Sequence, residues 1–213
     1  MSPRPYRMQR RLAGVDATRT RILTAARHVL VSGSPFTLDA VARDAGVARL
    51  TIYDRFGGRD ALLEAVFDDL AESGGLIRLP DAFADPDPLA ALEQFLVIFC
   101  RFYSKHRLVL RRLNALAVLR PGARAHADRN PRRLQGLRVL LDRVAAAGHP
   151  GAGAPDIVHL VHVLTGFAFI DELSGPEGDP ATIAPQLVAL VWTVVGLQTA
   201  RGPTSSNASH IDA

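Results

Sequence analysis

Cysteine is nearly absent from this chain, which has one such residue, Cys100, among 213. A single thiol excludes an internal disulfide, and without a CxxC pair the common zinc sites are excluded as well. Long apolar runs are also missing, because residues 157–170 and 187–197 fall short of the roughly 20 residues that span a bilayer. Residues 1–30 contain no apolar signal segment. The sequence therefore predicts a protein of the reducing cytoplasm with no membrane partner.

Signatures of catalysis are missing too, since the chain has no nucleophile elbow, phosphate-binding loop or HExxH pair. Its strongest acidic pair, Asp171 and Glu172, lies at the end of a predicted helix beside a loop, where it needs no chemistry to explain it. Asp156, His159 and His162 raise the question of a metal, but positions i, i+3 and i+6 spread around a helix. We therefore expect no enzymatic activity, no metal and no cofactor.

Basic residues are concentrated near the start of the chain. Residues 1–60 hold eleven Arg and five Asp, a net charge of +6, whereas residues 61–213 carry a net charge of −2. A cationic head favours a polyanionic partner, because each neutralised phosphate releases condensed counterions. Charge alone leaves open the alternative of a solvated basic tail.

Helical periodicity interrupted by Gly and Pro dominates the sequence, and strand patterns are nearly absent. The predicted fold class is therefore all-α, with about nine helices. The first begins at Asp16 or Ala17 and ends before Gly33. The others are expected near residues 37–45, 48–56, 59–70, 89–104, 108–119, 127–147, 156–173 and 181–200.

Residues 38–56, LDAVARDAGVARLTIYDRF, have the pattern of two short helices joined by a tight turn. Ala42 supplies a small side chain where the helices cross, and Gly46 permits the left-handed conformation of the turn. The apolar inner positions are Val41, Ala45, Val47 and Ile52. This is the helix-turn-helix pattern, in which the second helix lies in the DNA major groove.

Residues 18–66 closely resemble the DNA-binding domain of the TetR/AcrR family of transcriptional regulators, and the best-matched string is AGVARLTIYDRFGGR at residues 45–59. The resemblance implies a three-helix DNA-binding domain followed by a helical ligand-binding and dimerisation domain. The expected organisation is a flexible basic arm (1–15), the DNA-binding domain (16–60), the ligand-binding and dimerisation domain (61–202) and a disordered tail (203–213).

The resemblance also implies roles for individual residues of the head. Arg49, Leu50 and Thr51 would read base edges, with Arg49 on guanine and Leu50 on a thymine methyl. The residues that would contact the DNA backbone are Thr37, Tyr53 and Arg59. Thr37 has the alternative role of a helix cap, and Tyr53 that of a packing residue.

Three features of the head depart from the family pattern or extend it. Ala48 stands where the family usually has a Ser or Thr cap, and such a loss costs roughly 1 kcal/mol. Arg55 replaces an aromatic residue or His and would add a compensating phosphate contact. The basic segment 4–11 is either a minor-groove arm or a disordered start.

Aromatic residues of the body recur at helical spacing. Phe95, Phe99 and Phe102 fall at i, i+4 and i+7 and form one stripe, which is more often plain core. The resemblance implies instead an apolar cavity for a small-molecule effector, although it does not identify the effector. The candidate ligand-binding residues are Phe67, Phe95, Phe99, Phe102, Tyr103, Asn114, His162 and Phe167.

The last predicted helix is apolar almost all round, which implies burial on every side. A self-complementary surface is expected because a helix-turn-helix usually reads a palindrome as a two-fold dimer. The candidate interface residues are Leu187, Leu190, Val191, Val194 and Leu197. The alternative is a helix buried wholly within one chain.

These observations predict a TetR-like repressor that binds a palindromic operator on double-stranded DNA as a homodimer and is released by a small hydrophobic ligand. The repressor role rests on the resemblance alone. The competing interpretation is a helical architectural DNA-binding protein or ligand carrier without promoter-specific regulation. Selective binding to a palindrome separates the two.

Overall fold

The computed structural model describes residues 4–119 and 129–196, with only the backbone described at residues 4–15, 117–119 and 129–130. In these ranges the chain forms ten α-helices, two short 3-10 helices and no strand, which confirms the all-α prediction. The helices are α1 (Arg4–Val31), α2 (Leu38–Ala45), α3 (Arg49–Phe56), α4 (Arg59–Ser73), α5 (Leu79–Ala84), α6 (Pro88–Leu119), α7 (Arg129–Ala146), α8 (Pro155–Leu164), α9 (Phe167–Leu173) and α10 (Ala184–Val194).

Several predicted boundaries are wrong. The helix expected at residues 156–173 is two helices, because the backbone leaves helical geometry at Thr165 (φ −93°, ψ 3°) and Gly166 (φ −74°, ψ 149°). By contrast, the break expected between the helices at 89–104 and 108–119 is confirmed, because the two parts of α6 meet at a kink where His106 leaves helical geometry (φ −119°, ψ 17°). The short α5 was not predicted. The backbone of residues 4–15, where an arm was expected, continues α1.

The first four helices form the head of the molecule. One face of α1 carries the fully buried Ile22 and Ala26, and this face packs on α2 and α4. At the edge of this packing Arg27 of α1 forms an ion pair with Asp69 of α4 at 3.0 Å. Helix α4 therefore packs against the first three helices as the fourth helix of the head.

Helix α4 belongs to the head and to the body at once. Its first half buries Leu62 and Val66 among the head helices, and its last turn ends against α6. Gly74, directly after α4, lies so close to α6 that a Cβ atom there would come within 2.4 Å of the Phe102 ring. The approach is possible only because Gly74 has no side chain.

A cluster of ion pairs joins α6 to the end of α9. Arg107 donates to the Asp171 carboxylate at 2.5 Å and also to the Gly175 and Gly178 carbonyls. Arg111 donates to the same carboxylate at 2.8 Å. The cation therefore satisfies carbonyl groups at a helix C-terminus, where a positive charge is favourable.

The Asp171 cluster predicts a loss of stability in acid. Burial raises the pKa of Asp171, but hydrogen bonds from Arg111 and Arg107 outweigh burial and hold that pKa below its usual value. A depressed pKa stabilises the fold above the unfolded pKa of about 3.9 and stops doing so as pH falls through the folded pKa. We expect Asp171→Asn to reduce the free energy of unfolding at pH 7 by about 1.5–3 kcal/mol, measured by urea unfolding.

The matched control is Glu93→Gln, which neutralises an exposed carboxylate on α6 and should change stability by less than about 0.5 kcal/mol. The difference between wild type and Asp171→Asn should shrink as the pH is lowered. A difference that stays constant from pH 7 to pH 3 would show that the carboxylate charge is not what stabilises this junction.

Candidate functional site

The turn between α2 and α3 has the geometry that the sequence predicts. Thr37 accepts a hydrogen bond from the Ala40 amide at 3.1 Å and so caps α2. Gly46 adopts φ 61° and ψ 42°, and its N–H bonds back to the Ala42 and Arg43 carbonyls. A side chain at this φ would be strained, so the glycine fixes the angle between the two helices.

Helix α3 is anchored on one side and exposed on the other. Ile52 is fully buried and Phe56 nearly so. On the opposite side Leu50 is 67% exposed and Tyr53 is 57% exposed. The predicted base readers and the backbone-contacting tyrosine thus share the outer surface of α3.

The polar groups around α3 are arranged beside this surface. Arg49 is 64% exposed and lies 3.3 Å from the Asp39 carboxylate of α2. An exposed pair of this kind is weak, about 0.2–1 kcal/mol, so a stronger acceptor can draw the guanidinium away. Thr37 is exposed beside it, and its hydroxyl can donate a hydrogen bond while it caps α2.

Ala48 provides no side-chain hydrogen bond at the start of α3, as its apolar side chain requires. The Thr51 amide bonds to the Ala48 carbonyl at 3.0 Å and closes the first turn without a cap. Arg55 is partly buried near the end of the same helix. Its predicted phosphate contact stays a prediction.

Arg59 is packed against the head instead of extending from it. Its Nε donates to the Phe36 carbonyl at 3.2 Å, and its guanidinium carbon lies 5.5 Å from the centre of the Phe36 ring. Only 20% of the side chain is exposed. The predicted phosphate contact through Arg59 therefore requires this side chain to leave Phe36, or else to act from a distance.

The body contains a cavity of about 720 Å³, within the range of small-molecule sites. It is bounded by α4, α5, α6, α7 and α9. Seven of the eight predicted ligand-binding residues line it: Phe67, Phe95, Phe99, Phe102, Tyr103, Asn114 and Phe167. The aromatic rings pack edge to face or tilted, for example Phe67 on Phe102 at 5.8 Å and Tyr103 on Phe167 at 5.4 Å.

His162 is the predicted ligand-binding residue that is not part of the cavity wall. Its Nε2 lies 2.9 Å from the guanidinium of Arg133, which does line the cavity, so His162 contacts a wall residue and not the cavity itself. The sequence analysis missed Arg133 and its neighbour Arg132, which do line the cavity. Periodicity gave no signal for them, because arginines on α7 resemble an ordinary solvated helix face.

A polar cluster closes the cavity where α8 gives way to α9. The Arg133 guanidinium donates to the Thr165 hydroxyl at 2.6 Å and to the His162 carbonyl at 2.8 Å. The Tyr103 hydroxyl donates to the Thr165 carbonyl at 3.2 Å. Burial raises the pKa of Tyr103 to about 12, although the Arg133 charge opposes this, and burial lowers the pKa of Arg133.

The predicted dimer residues divide into three groups. Leu187 and Val191 are fully buried within the chain itself, so for these two residues the interface prediction is replaced by a core role. Leu190 and Val194 are half-buried. Leu197 lies outside the described residues.

A second apolar surface lies on α8, a helix of which no residue was among the predicted interface residues. Leu160 is 44% exposed and Val163 is 61% exposed, one turn apart on the outside of the helix. Helix α8 packs against α10, where Trp192 is half-buried. Helices α8 and α10 thus leave several apolar side chains exposed or half-buried.

The remaining predictions concern metals and membranes. His159 Nδ1 lies 2.7 Å from the Pro155 carbonyl, and His162 contacts Arg133, so the two histidines have separate partners. Over residues 4–119 and 129–196 we find no group of three potential metal-ligating side chains. No helix in that part of the chain is both long and apolar enough to cross a membrane.

Both the helix-turn-helix and the overall helical fold are similar to those of known proteins. Residues 22–66 match the family described as bacterial regulatory proteins, tetR family. No curated protein sequence matches the chain significantly. Native NalD, the secondary repressor of the MexAB-OprM multidrug efflux pump in Pseudomonas aeruginosa, is a similar solved structure, with 25% identity, a TM-score of 0.58, and coverage of 84% of this chain and 96% of NalD.

Two more distant structures have the same fold. PfmR, a TetR family transcriptional regulator from Thermus thermophilus, is 22% identical with a TM-score of 0.60, over 80% of this chain and 96% of PfmR. FadR from Bacillus subtilis, solved in complex with stearoyl-CoA, is 17% identical with a TM-score of 0.59, over 84% of this chain and 99% of FadR. The helix-turn-helix thus matches the DNA-binding domain of the tetR family, and the helical fold over most of the chain is similar to that of the repressor NalD.

Proposed function

We propose that the protein is a repressor that binds a palindromic operator as a homodimer and leaves it when a small apolar molecule occupies the cavity. The observation that carries the proposal is the position of α4. Its first half packs in the DNA-binding head, and Phe67 and Ala71 in its second half line the cavity. A ligand that displaces this wall also displaces the head.

The proposed coupling needs a difference in affinity between two states. Helix α4 has 15 residues and is therefore about 22 Å long. A small rotation at the cavity changes the separation of two heads in a dimer, whose half-sites are one helical turn of DNA apart. The ligand then favours the state in which the heads do not fit both half-sites.

On the operator, we assign base reading to Arg49, Leu50 and Thr51. Tyr53 and Thr37 would donate hydrogen bonds to phosphates on either side, and both are exposed. Arg55 and Arg59 would add positive charge near the DNA backbone. Because bacterial DNA lies in the cytoplasm, we infer that a protein that binds an operator acts there.

We assign dimerisation to the outer faces of α8 and α10. Leu160 and Val163 would contact their counterparts and the half-buried Trp192, Leu190 and Val194 of the partner. The TetR resemblance supports a bundle of two helices from each chain. Covering these residues removes apolar surface from water, which stabilises the dimer by about 25 cal/mol per Å² buried before the cost of association.

The dimer surface gives a direct prediction. Val163→Glu should convert the protein to a monomer, because a carboxylate would be buried without a partner in the interface. The matched control is Val139→Glu on α7, where the valine is 43% exposed and no interface is proposed. Sedimentation velocity should report a monomer for the first variant and a dimer for the second. A dimeric Val163→Glu would place the interface elsewhere.

The proposed function is tested by selecting binding sites from random duplex DNA with the purified protein. We expect an inverted repeat, protected as one footprint, and release of the DNA by a subset of small apolar molecules. Uniform affinity for all duplexes would favour the architectural DNA-binding interpretation instead.

A further inference from the structure

The cavity wall is apolar except for a few side chains, and these are not distributed evenly. Arg132 and Arg133 enter from adjacent positions of α7, and Asn114 enters from α6. The acidic residue of the wall, Asp68, is exposed, so water screens its charge. Arg132 is exposed as well, so the less accessible charge of the wall is the positive charge of Arg133, which is half-buried.

Arg133 is held in a fixed position by its neighbours. Its Nη1 donates to the Thr165 hydroxyl at 2.6 Å and to the His162 carbonyl at 2.8 Å, and its Nη2 lies 2.9 Å from the His162 ring. These hydrogen bonds orient the guanidinium plane at the wall of the cavity.

A guanidinium in such surroundings discriminates between ligands by charge. Charge–charge attraction is several times stronger at a poorly hydrated site than in water. A carboxylate or sulfonate oxygen also accepts a stronger, charge-assisted hydrogen bond from a guanidinium than a neutral group does. A neutral apolar ligand would instead remove water from the cation without supplying a negative charge in its place, which is unfavourable.

We propose that the effector is an amphipathic organic anion, whose apolar body lies among Phe95, Phe99 and Phe102 and whose acidic group pairs with Arg133. This inference rests on the proposed function, because it assigns a chemical class to the molecule that would release the protein from DNA. The rings supply edge and face contacts for an aromatic or long aliphatic body. Arg133 then determines specificity by charge.

Two fluorescent probes with the same ring system test the assignment. 8-Anilinonaphthalene-1-sulfonate carries one negative charge, and N-phenyl-1-naphthylamine lacks the sulfonate. Both become bright in an apolar site. We expect the full-length protein to bind the anion about tenfold or more tightly than the neutral probe. Arg133→Met should weaken binding of the anion by about tenfold to 150-fold and leave binding of the neutral probe within about twofold.

Matched variants separate recognition from folding. Arg132→Met removes a more exposed arginine of the same wall and should weaken binding of the anionic probe much less than Arg133→Met does. Arg133→Lys, which keeps the positive charge, should retain part of the binding of the anionic probe. Ala71→Trp fills the cavity from α4 and should abolish binding of both probes. Retention of neutral-probe binding by Arg133→Met shows that the cavity is intact in that variant.

Three results would overturn the inference. They are equal affinities of the wild type for the two probes, an equal loss of affinity for both probes in Arg133→Met, and continued binding of the anionic probe by Ala71→Trp. The proposed function is judged separately, by operator binding in the presence of each probe. Anion selectivity without any effect on operator affinity would count against ligand-controlled release and leave the charge assignment standing.

Discussion

Replacing Arg49 with alanine is expected to weaken binding to the selected operator by about 30-fold to 10⁴-fold. A bidentate contact between Arg and guanine contributes about 1–3 kcal/mol of discrimination, and a two-fold dimer makes the contact twice. The sum of about 2–6 kcal/mol converts to that range of affinity. Arg49 is 64% exposed and its partner Asp39 is 61% exposed, so the substitution should reduce the stability of the fold very little.

Fluorescence anisotropy with the operator and with a scrambled duplex measures the effect. The loss should be larger on the operator, because a base contact carries specificity and a phosphate contact does not. Arg138→Ala removes an exposed arginine from α7 and should leave both affinities unchanged. Equal losses on the two duplexes would assign Arg49 to the DNA backbone, and no loss would remove it from the interface.

Replacing Phe102 with alanine should have the largest effect on stability. Phe102 is fully buried, and its ring packs on Phe67 of α4 at 5.8 Å and on His106 at 5.5 Å. Truncation of a buried Phe costs about 3–5 kcal/mol, since it loses the transfer free energy and leaves a void. For a chain of this size the melting temperature should fall by about 6–20 °C.

Leu108→Ala is the matched control on the same helix, because Leu108 is 65% exposed and should change stability by less than about 0.5 kcal/mol. Calorimetry of both variants without ligand makes the comparison. A Phe102→Ala variant that melts within 2 °C of wild type, roughly the effect of less than 1 kcal/mol, would mean that the cavity wall collapses into the void. The contact between α4 and α6 would then not depend on this ring.

The helix-turn-helix was predictable because its determinants are local. Gly46 must be small to reach φ 61°, Thr37 must carry an oxygen to cap α2, and Ile52 must be apolar to anchor α3. All three requirements involve residues within about two turns of each other. The exposure of Leu50 and Tyr53 follows from the same periodicity, once Ile52 is turned inward.

The body was predicted less completely, because its features depend on distant residues. The stripe of Phe95, Phe99 and Phe102 indicated an apolar wall, but a stripe is compatible with a filled core. Arg133 stands on an arginine-rich helix, and only its approach to Thr165 reveals it as part of the cavity wall. Likewise Leu187 and Leu190 are alike in sequence, yet one is fully buried and the other half-buried.

The sequence by itself determined the all-α class, the helix-turn-helix and the surface of α3, because caps, turn glycines and apolar periodicity act over a few residues. Tertiary structure alone decided that a cavity exists, that Arg133 faces it, and that α4 connects the cavity to the head. It also decided which apolar residues of α8 and α10 stay on the surface. These properties arise where helices far apart in sequence meet, and pattern along one helix does not specify what packs against it.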